Sequence, residues 1–146
     1  EAGKIISFLV RSGDPAAIHA LSRRIGSAPV DVRLGIVQAS LPWAKSSGLS
    51  AIGLTVHART EIAKFPPGPN AREIERLLRS ELDDTERRLQ MKGHYNDIAI
   101  EDPRICDMAA LALTLRWPQK YAFHWGSDAA ERDRQIAKMR GTRFSD

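Results

Sequence analysis

The 146-residue chain holds a single cysteine, Cys106, and so cannot close an internal disulfide. A lone thiol fits a reducing compartment, and the expectation is an intracellular location or another reducing compartment. No apolar run approaches the roughly 20 residues needed to cross a bilayer as a helix, so no transmembrane segment is expected. Lysine is scarce, six residues against sixteen arginines, and aromatic residues make up only 6% of the chain. The four histidines, His19, His57, His94 and His124, are scattered, with no HExxH and no His–Cys spacing. That pattern supports no metal site. GxSxG, P-loop and dinucleotide-type glycine patterns are absent too. No cofactor is expected, and the expectation is a non-enzyme, although a catalytic site assembled from distant residues leaves no local motif. Nothing resembles a helix-turn-helix, zinc-finger or RRM signature, so a nucleic-acid partner would not be read by sequence.

What is present fits one globular domain over residues 1–146, with 42% apolar and 27% charged residues. The chain opens on Glu1 rather than Met, which suggests a fragment or processed product whose upstream targeting region is not visible. A net charge of +4 and a pI of about 9.6 favour an anionic partner only weakly. The arginine skew is more informative. Arg23-Arg24, Arg87-Arg88, Arg132 with Arg134, and Arg140 with Arg143 form tight pairs. Arginine adds to its charge a planar fork that grips phosphate or carboxylate two-handed. Polyanion binding, ion-pair networks, a charged interface and a GC-rich genome each produce such a skew.

Residues 66–69 (Pro-Pro-Gly-Pro) break the chain. From Asn70, with Glu73 completing the cap, the spacing predicts one long helix over 70–92, a rod of roughly 34 Å. Ile74, Leu77, Leu78, Leu82 and Leu89 form its apolar stripe. Glu75–Arg79, Asp83–Arg87 and Asp84–Arg88 are its i,i+4 pairs, and Lys92-Gly93 is its end. Asp102-Pro103 is expected to start a second helix, apolar nearly all round from Ile105 to Leu115 and ended by Pro118. Asp128 with Glu131 caps a last helix running to Arg140. Its only large apolar residues are Ile136 and Met139, so it is expected to pack loosely or to complete its burial on a partner.

The first half is less legible. Asp14-Pro15 starts a short helix through Ile18, Leu21 and Ile25, closed by Gly26. Lys4–Val10 fits helix or strand, as does the segment from Pro29 through Val30, Leu34, Val37 and Leu41. Leu49, Ile52, Val56 and Ala63 lean helical. The expected fold is an all-α helical bundle of about five to seven helices. The alternative is α+β, with one or two short strands in the first 60 residues. The expected divisions are an N-terminal subregion (1–65), the proline-rich break (66–69), core helices (70–126) and a basic C-terminal helix and tail (127–146).

Two constellations point to binding. Trp117, Tyr121, Phe123 and Trp125 hold four of the nine aromatics and are interleaved with Arg116, Lys120 and His124. Bases could stack on such rings while the cations hold phosphates. Equally, the rings could plug the end of the bundle beneath the Pro118 break. Second, Arg132, Arg134, Lys138, Arg140 and Arg143 outnumber Glu131 and Asp133, leaving the C-terminal segment Glu131–Arg143 at net +3. That helix is a phosphate-contacting arm, a subunit contact or a solvated terminus. Arg23-Arg24 is sufficiently explained by its helix dipole. Cys106 reads as a buried, inert thiol. His94-Tyr95-Asn96-Asp97 forms a polar connection between helices.

The leading expectation is a basic helical nucleic-acid-associated or assembly protein of capsid, nucleoprotein or packaging type. It would bind RNA or DNA through phosphates, using Arg132, Arg134, Lys138, Arg140, Arg143, Arg116 and Lys120 with Trp117 and Trp125. The second is an adaptor, effector or scaffold module with an arginine-rich interface, binding a protein partner or its own copy. One continuous positive face would favour the first, and interspersed signs the second.

Overall fold

A computed structural model describes residues 2–12, 14–41, 70–95 and 98–144. These form six α-helices, one 3-10 turn and one two-stranded antiparallel sheet, an all-α architecture with minor strands. The helical residues expected around Leu49, Ile52, Val56 and Ala63, and the break at 66–69, lie outside the described residues.

Both ambiguous N-terminal segments are helices: α1 (Ala2–Arg11) and α3 (Val30–Ala39). Between them α2 (Pro15–Ile25) begins as its sequence dictates, with the Asp14 carboxylate accepting from the Ala16 N–H at 2.9 Å and Pro15 in the first turn. Arg23 and Arg24 lie exposed in its last turn, where the helix dipole favours cations. In α3, Leu34, Ile36, Val37, Ala39 and then Leu41 are all buried. Burial on several sides removes the face alternation by which a strand would have been told from a helix.

The long helix expected over 70–92 does not form. Helix α4 (Ala71–Ser80) is followed by the 3-10 turn Glu81–Asp83, and the chain then runs extended. The cause lies in the sequence that follows. Glu81, Asp83 and Asp84 set negative charge at the negative end of the helix dipole, and Asp and Thr are poor helix formers. The Asp84 carboxylate also accepts from the Glu86 N–H at 3.0 Å, a local turn that competes with another helical turn. The Asp83–Arg87 and Asp84–Arg88 helix pairs are therefore replaced by long-range ones. Arg33 of α3 bonds Asp84 and Glu86, Arg88 pairs with Asp31, and Arg140 with Asp83. Leu89, no longer on a helix stripe, is exposed.

The extended segment 84–91 lies antiparallel to the chain entering the next helix and continues into the sheet. Strands β1 (Lys92–Tyr95) and β2 (Ile98–Glu101) pair with Lys92 opposite Glu101 and Gly93 opposite Ile100. Among the described residues strands thus occur after residue 90, with none in 2–12 or 14–41 of the first 60 where the alternative placed them, and Lys92-Gly93 starts a strand instead of ending a helix. Asp102 also departs from expectation. It sits in a left-handed turn (φ 44°) and its carboxylate accepts from the Gln90 N–H at 2.7 Å, so it does not cap the helix. The first N–H groups of α5 (Ile105–Arg116) are satisfied instead by neighbouring backbone: Ile105 donates to the Glu86 carbonyl at 3.0 Å and Cys106 to the Asp84 carbonyl at 2.8 Å.

Helix α5 is buried from Ile105 through Leu113 and packs on α3, α4, the 3-10 turn and α6 (Ala129–Gly141). It is the axis of the core, each large apolar side chain contributing roughly 1.5–3 kcal/mol on burial. Helix α6 starts where expected, with Asp128 accepting from the Glu131 N–H at 2.8 Å. It does not pack loosely: Ile136 and Met139 are each only 2% exposed, buried against this chain's own core. No helix among the described residues is long and apolar enough to cross a membrane.

Candidate functional site

Most cations of the predicted phosphate arm hold the fold together. Arg132 donates from Nη1 to the carbonyls of Ser127 (3.1 Å) and Trp125 (3.3 Å), and its Nε lies 3.6 Å from the buried Asp107 carboxylate. Arg134 donates to Glu131 at 2.8 Å and holds that carboxyl below its usual range, while Arg140 bonds Asp83. Arg116 donates to the Ser40 carbonyl just past the end of α3. Lys138 and Arg143 are exposed and form no ion pair with another described residue.

The aromatic cluster is split in the same way. Trp125 is 7% exposed and meets Phe123 edge-on, centroids 5.9 Å apart at 84°. Trp117 is half-buried and edge-on to Tyr121 at 6.5 Å. In this arrangement the rings pack the end of the bundle, and Trp125 presents no face on which a base could stack. The exposed His124 uses its backbone N–H to bind Gln135.

A different cationic cluster emerges on α4. Arg72, Arg76 and Arg79 recur at i, i+4 and i+7, opposite the buried Ile74, Leu77 and Leu78. Lys120, in the turn after α5, joins them, and all four surround the ring of Phe144 from the segment beyond α6. Their charged groups stand 5.7, 5.3, 6.0 and 5.6 Å from its centroid, in the order Arg72, Arg76, Arg79, Lys120. An exposed cation–π contact of this kind contributes about 0.5–1 kcal/mol.

Beneath the cluster lies a rigid support. Glu75, buried, accepts from Lys120 Nζ at 2.5 Å and from the Tyr121 hydroxyl. Burial, then this bond to Glu75, raises the Tyr121 pKa. Arg79 donates to the Tyr121 hydroxyl at 2.9 Å and to the Arg140 carbonyl at 3.0 Å, so it does not act as the helix partner of Glu75. Its cation meets the negative end of α6, a favourable placement. Beside the cluster a cleft of about 150 Å³ is lined by Lys120, Tyr121, Gln135, Lys138, Met139 and Thr142.

Comparison with family models, curated proteins and solved structures yields no match. Function is therefore read from geometry and charge.

Other chemistry finds little footing. No group of three or more His, Cys, Asp or Glu residues among those described could hold a metal ion. Cys106 is buried, and burial followed by the nearby Asp107 charge pushes its thiol up to about 11. It borders a second cleft, of about 290 Å³, whose charged walls are already paired as Arg104–Asp133 and Arg140–Asp83. At pH 8 only about one thiol in a thousand would be ionised, so labelling of the native protein by a disulfide reagent should be at least about 100-fold slower than in denaturant. Rapid stoichiometric labelling of the folded chain would refute this assignment.

The α4 stripe had a sequence signal, the i, i+4, i+7 arginines. It was hidden because Arg79 also stands four residues after Glu75 and reads as that acid's partner. Phe144 had none, since only the return of the chain after α6 brings it to α4.

Proposed function

We propose that this protein is a basic helical nucleic-acid-associated protein, of packaging or nucleoprotein type, that engages phosphates without reading sequence. The engaging face is Arg72, Arg76, Arg79 and Lys120, extended by Lys138 and Arg143. What carries this reading is the convergence of three arginines of α4 and Lys120 from the turn after α5 around one ring. Like charges gathered this closely repel, and Glu75, which accepts from Lys120, is buried beneath them. A cationic concentration of this kind attracts a polyanion and gains by counterion release when it binds. Arg116, Arg132 and Arg140 then serve the fold, positioning α3 and α6, while Arg134 pairs with Glu131 on the exposed face of α6.

One observation favours the second reading, a protein-binding module. Elsewhere on the surface the signs alternate, in pairs such as Arg88–Asp31, Lys92–Glu101 and Arg134–Glu131. Fluorescence anisotropy with labelled single- and double-stranded oligonucleotides at about 50 and 200 mM salt separates the two. The nucleic-acid reading expects micromolar or tighter binding that weakens steeply over that range. The variant Arg72→Gln/Arg76→Gln/Lys138→Gln/Arg143→Gln, which spares the structural Arg79 and Lys120, should bind all sequences more weakly. Its salt slope should be shallower by about 0.7–0.9 for each phosphate that the variant no longer neutralises. Wild-type affinity in that variant, or no binding at low salt, would reject the reading.

A further inference from the structure

The junction between α3 and the end of α4 gathers three acids around one guanidinium. Arg33 of α3 gives Nη1 to Asp84 and Nη2 to Glu86, and none of its hydrogen bonds goes to Glu81, on the 3-10 turn that follows α4. Two buried atoms at this junction have no hydrogen-bond partner. They are Arg33 Nε, a donor, and Glu81 Oε2, an acceptor when ionised. Glu81 is buried, Asp84 half-buried and Glu86 exposed, so the fork serves the two acids that water could also solvate.

That arrangement suits a protonated Glu81. A neutral carboxyl tolerates one unpartnered oxygen and can donate its proton toward the Asp84 carboxylate beside it. An ionised one is a buried charge without a partner, repelled by Asp84. The other charged groups of this region are matched elsewhere. Asp83 of the same turn pairs with Arg140 of α6, and Arg88 with Asp31 of α3. The head of α5, packed on the turn, brings the neutral Cys106 thiol and the Arg104–Asp107 pair, and α4 adds the Ser80 hydroxyl. Arg33 is the cation whose pull opposes the rise in the Glu81 pKa.

What Arg33 holds also matters for α5. The Asp84 and Glu86 carbonyls accept from the Cys106 N–H at 2.8 Å and the Ile105 N–H at 3.0 Å, and the Arg88 N–H donates to the Pro103 carbonyl at 3.0 Å. Residues 84–88 are therefore a strap across the start of α5, tied to α3 through Arg33 and through Arg88–Asp31.

We propose that Glu81 is a proton-operated latch on this strap. Protonated, it leaves Arg33 to clamp Asp84 and Glu86. Ionised, it competes for the Arg33 fork, Glu86 goes to water, and the strap lifts from the head of α5 more often. The charge change is one proton, and the bistable element is the fork with its three acids. With the strap closed, burial and then Asp84 hold the Glu81 carboxyl at about 7. Once the strap lifts and water or Arg33 reaches it, the carboxyl returns toward its ordinary value of 4.5. The closed form thus keeps its proton longer, so opening is independent of pH below 4.5, grows as pH climbs to about 7 and levels off above.

Amide hydrogen exchange followed by NMR between pH 5 and pH 8 tests this, each rate being divided by that of an unstructured peptide at the same pH. In the wild type, Arg88, Ile105 and Cys106 should be less protected than Ala110 and Leu113 deep in α5. Their protection should fall by roughly 10- to 100-fold over that range. Glu81→Gln, neutral throughout, should keep it flat. Asp84→Asn removes one cause of the raised carboxyl while leaving an oxygen for the Glu86 N–H, and should make the fall smaller. Flat protection at the three strap amides of the wild type overturns the latch, and so does an equal fall in Glu81→Gln. Identical protection of the strap amides, Ala110 and Leu113 at every pH also overturns it, because the chain would then open only as a whole.

Discussion

Replacing Asp107 with alanine should destabilise the protein by about 3–5 kcal/mol, the cost of breaking a buried ion pair by removing one partner. Asp107 is 2% exposed and accepts both prongs of Arg104, from Nε at 2.9 Å and Nη2 at 2.7 Å. Arg104 is itself 8% exposed, and its remaining nitrogen donates to Asp133 of α6 at 2.8 Å. The bond to Asp107 outweighs burial and raises the arginine pKa further. Without the carboxylate, a guanidinium remains in the core with one exposed partner, and Arg132 is left without its approach to the same oxygen. Native stabilities are only about 5–15 kcal/mol, so this single change removes a large share. The control is Arg104→Met/Asp107→Leu, which removes both charges and should recover much of the loss, since apolar replacement of a buried pair is often neutral. Urea unfolding measures both. A loss below about 1 kcal/mol in Asp107→Ala would show that the Arg104–Asp107 pair contributes no more than a surface ion pair.

The second large effect concerns Glu81, whose carboxyl is 4% exposed and has one oxygen without a hydrogen-bond partner. Burial and then the neighbouring Asp84 charge raise its pKa to about 7, with Arg33 opposing. A carboxyl raised on folding prefers its proton in the native state. Its favourable contribution is complete below the ordinary value of 4.5 and is lost as pH climbs through about 7. Glu81→Gln stays neutral throughout. Its stability relative to wild type should therefore rise between pH 4.5 and 7, by about 2–3 kcal/mol, and then level off. Comparing the unfolding midpoints of the two proteins at pH 5 and pH 8 is enough. An equal difference at both values would mean that Glu81 is ionised throughout.

Two of the local helix-start signals matched the structure, while Asp102 and Asn70 make no side-chain cap bond to their helices. Asp14-Pro15 and Asp128 each place a side-chain oxygen two or three residues ahead of the N–H it accepts, so both helix starts were legible. The run from Ile105 to Leu115, apolar except for Asp107 and Thr114, marked α5 as the central helix because it offers no polar face to water. The 70–92 helix did not form although its stripe and acid–base spacing are as good as those of many helices. The acids and the Asp84 turn at its end weaken further helix locally, and partners elsewhere fix the stop. Arg33 and Arg140 take those acids, and the freed backbone at Asp84 and Glu86 supplies the carbonyls that start α5.

The chain's own residues determined an all-α core, the capped starts of α2 and α6, a buried thiol and an excess of arginine seeking acceptors. These are consequences of side-chain chemistry and of spacing within a few residues. Only the tertiary structure decided which arginines are consumed by the fold and which gather on one face. An arginine's partner is set by who stands within a few ångströms, and carbonyls past α3, acids on the 3-10 turn and a ring beyond α6 come that close only after the helices pack.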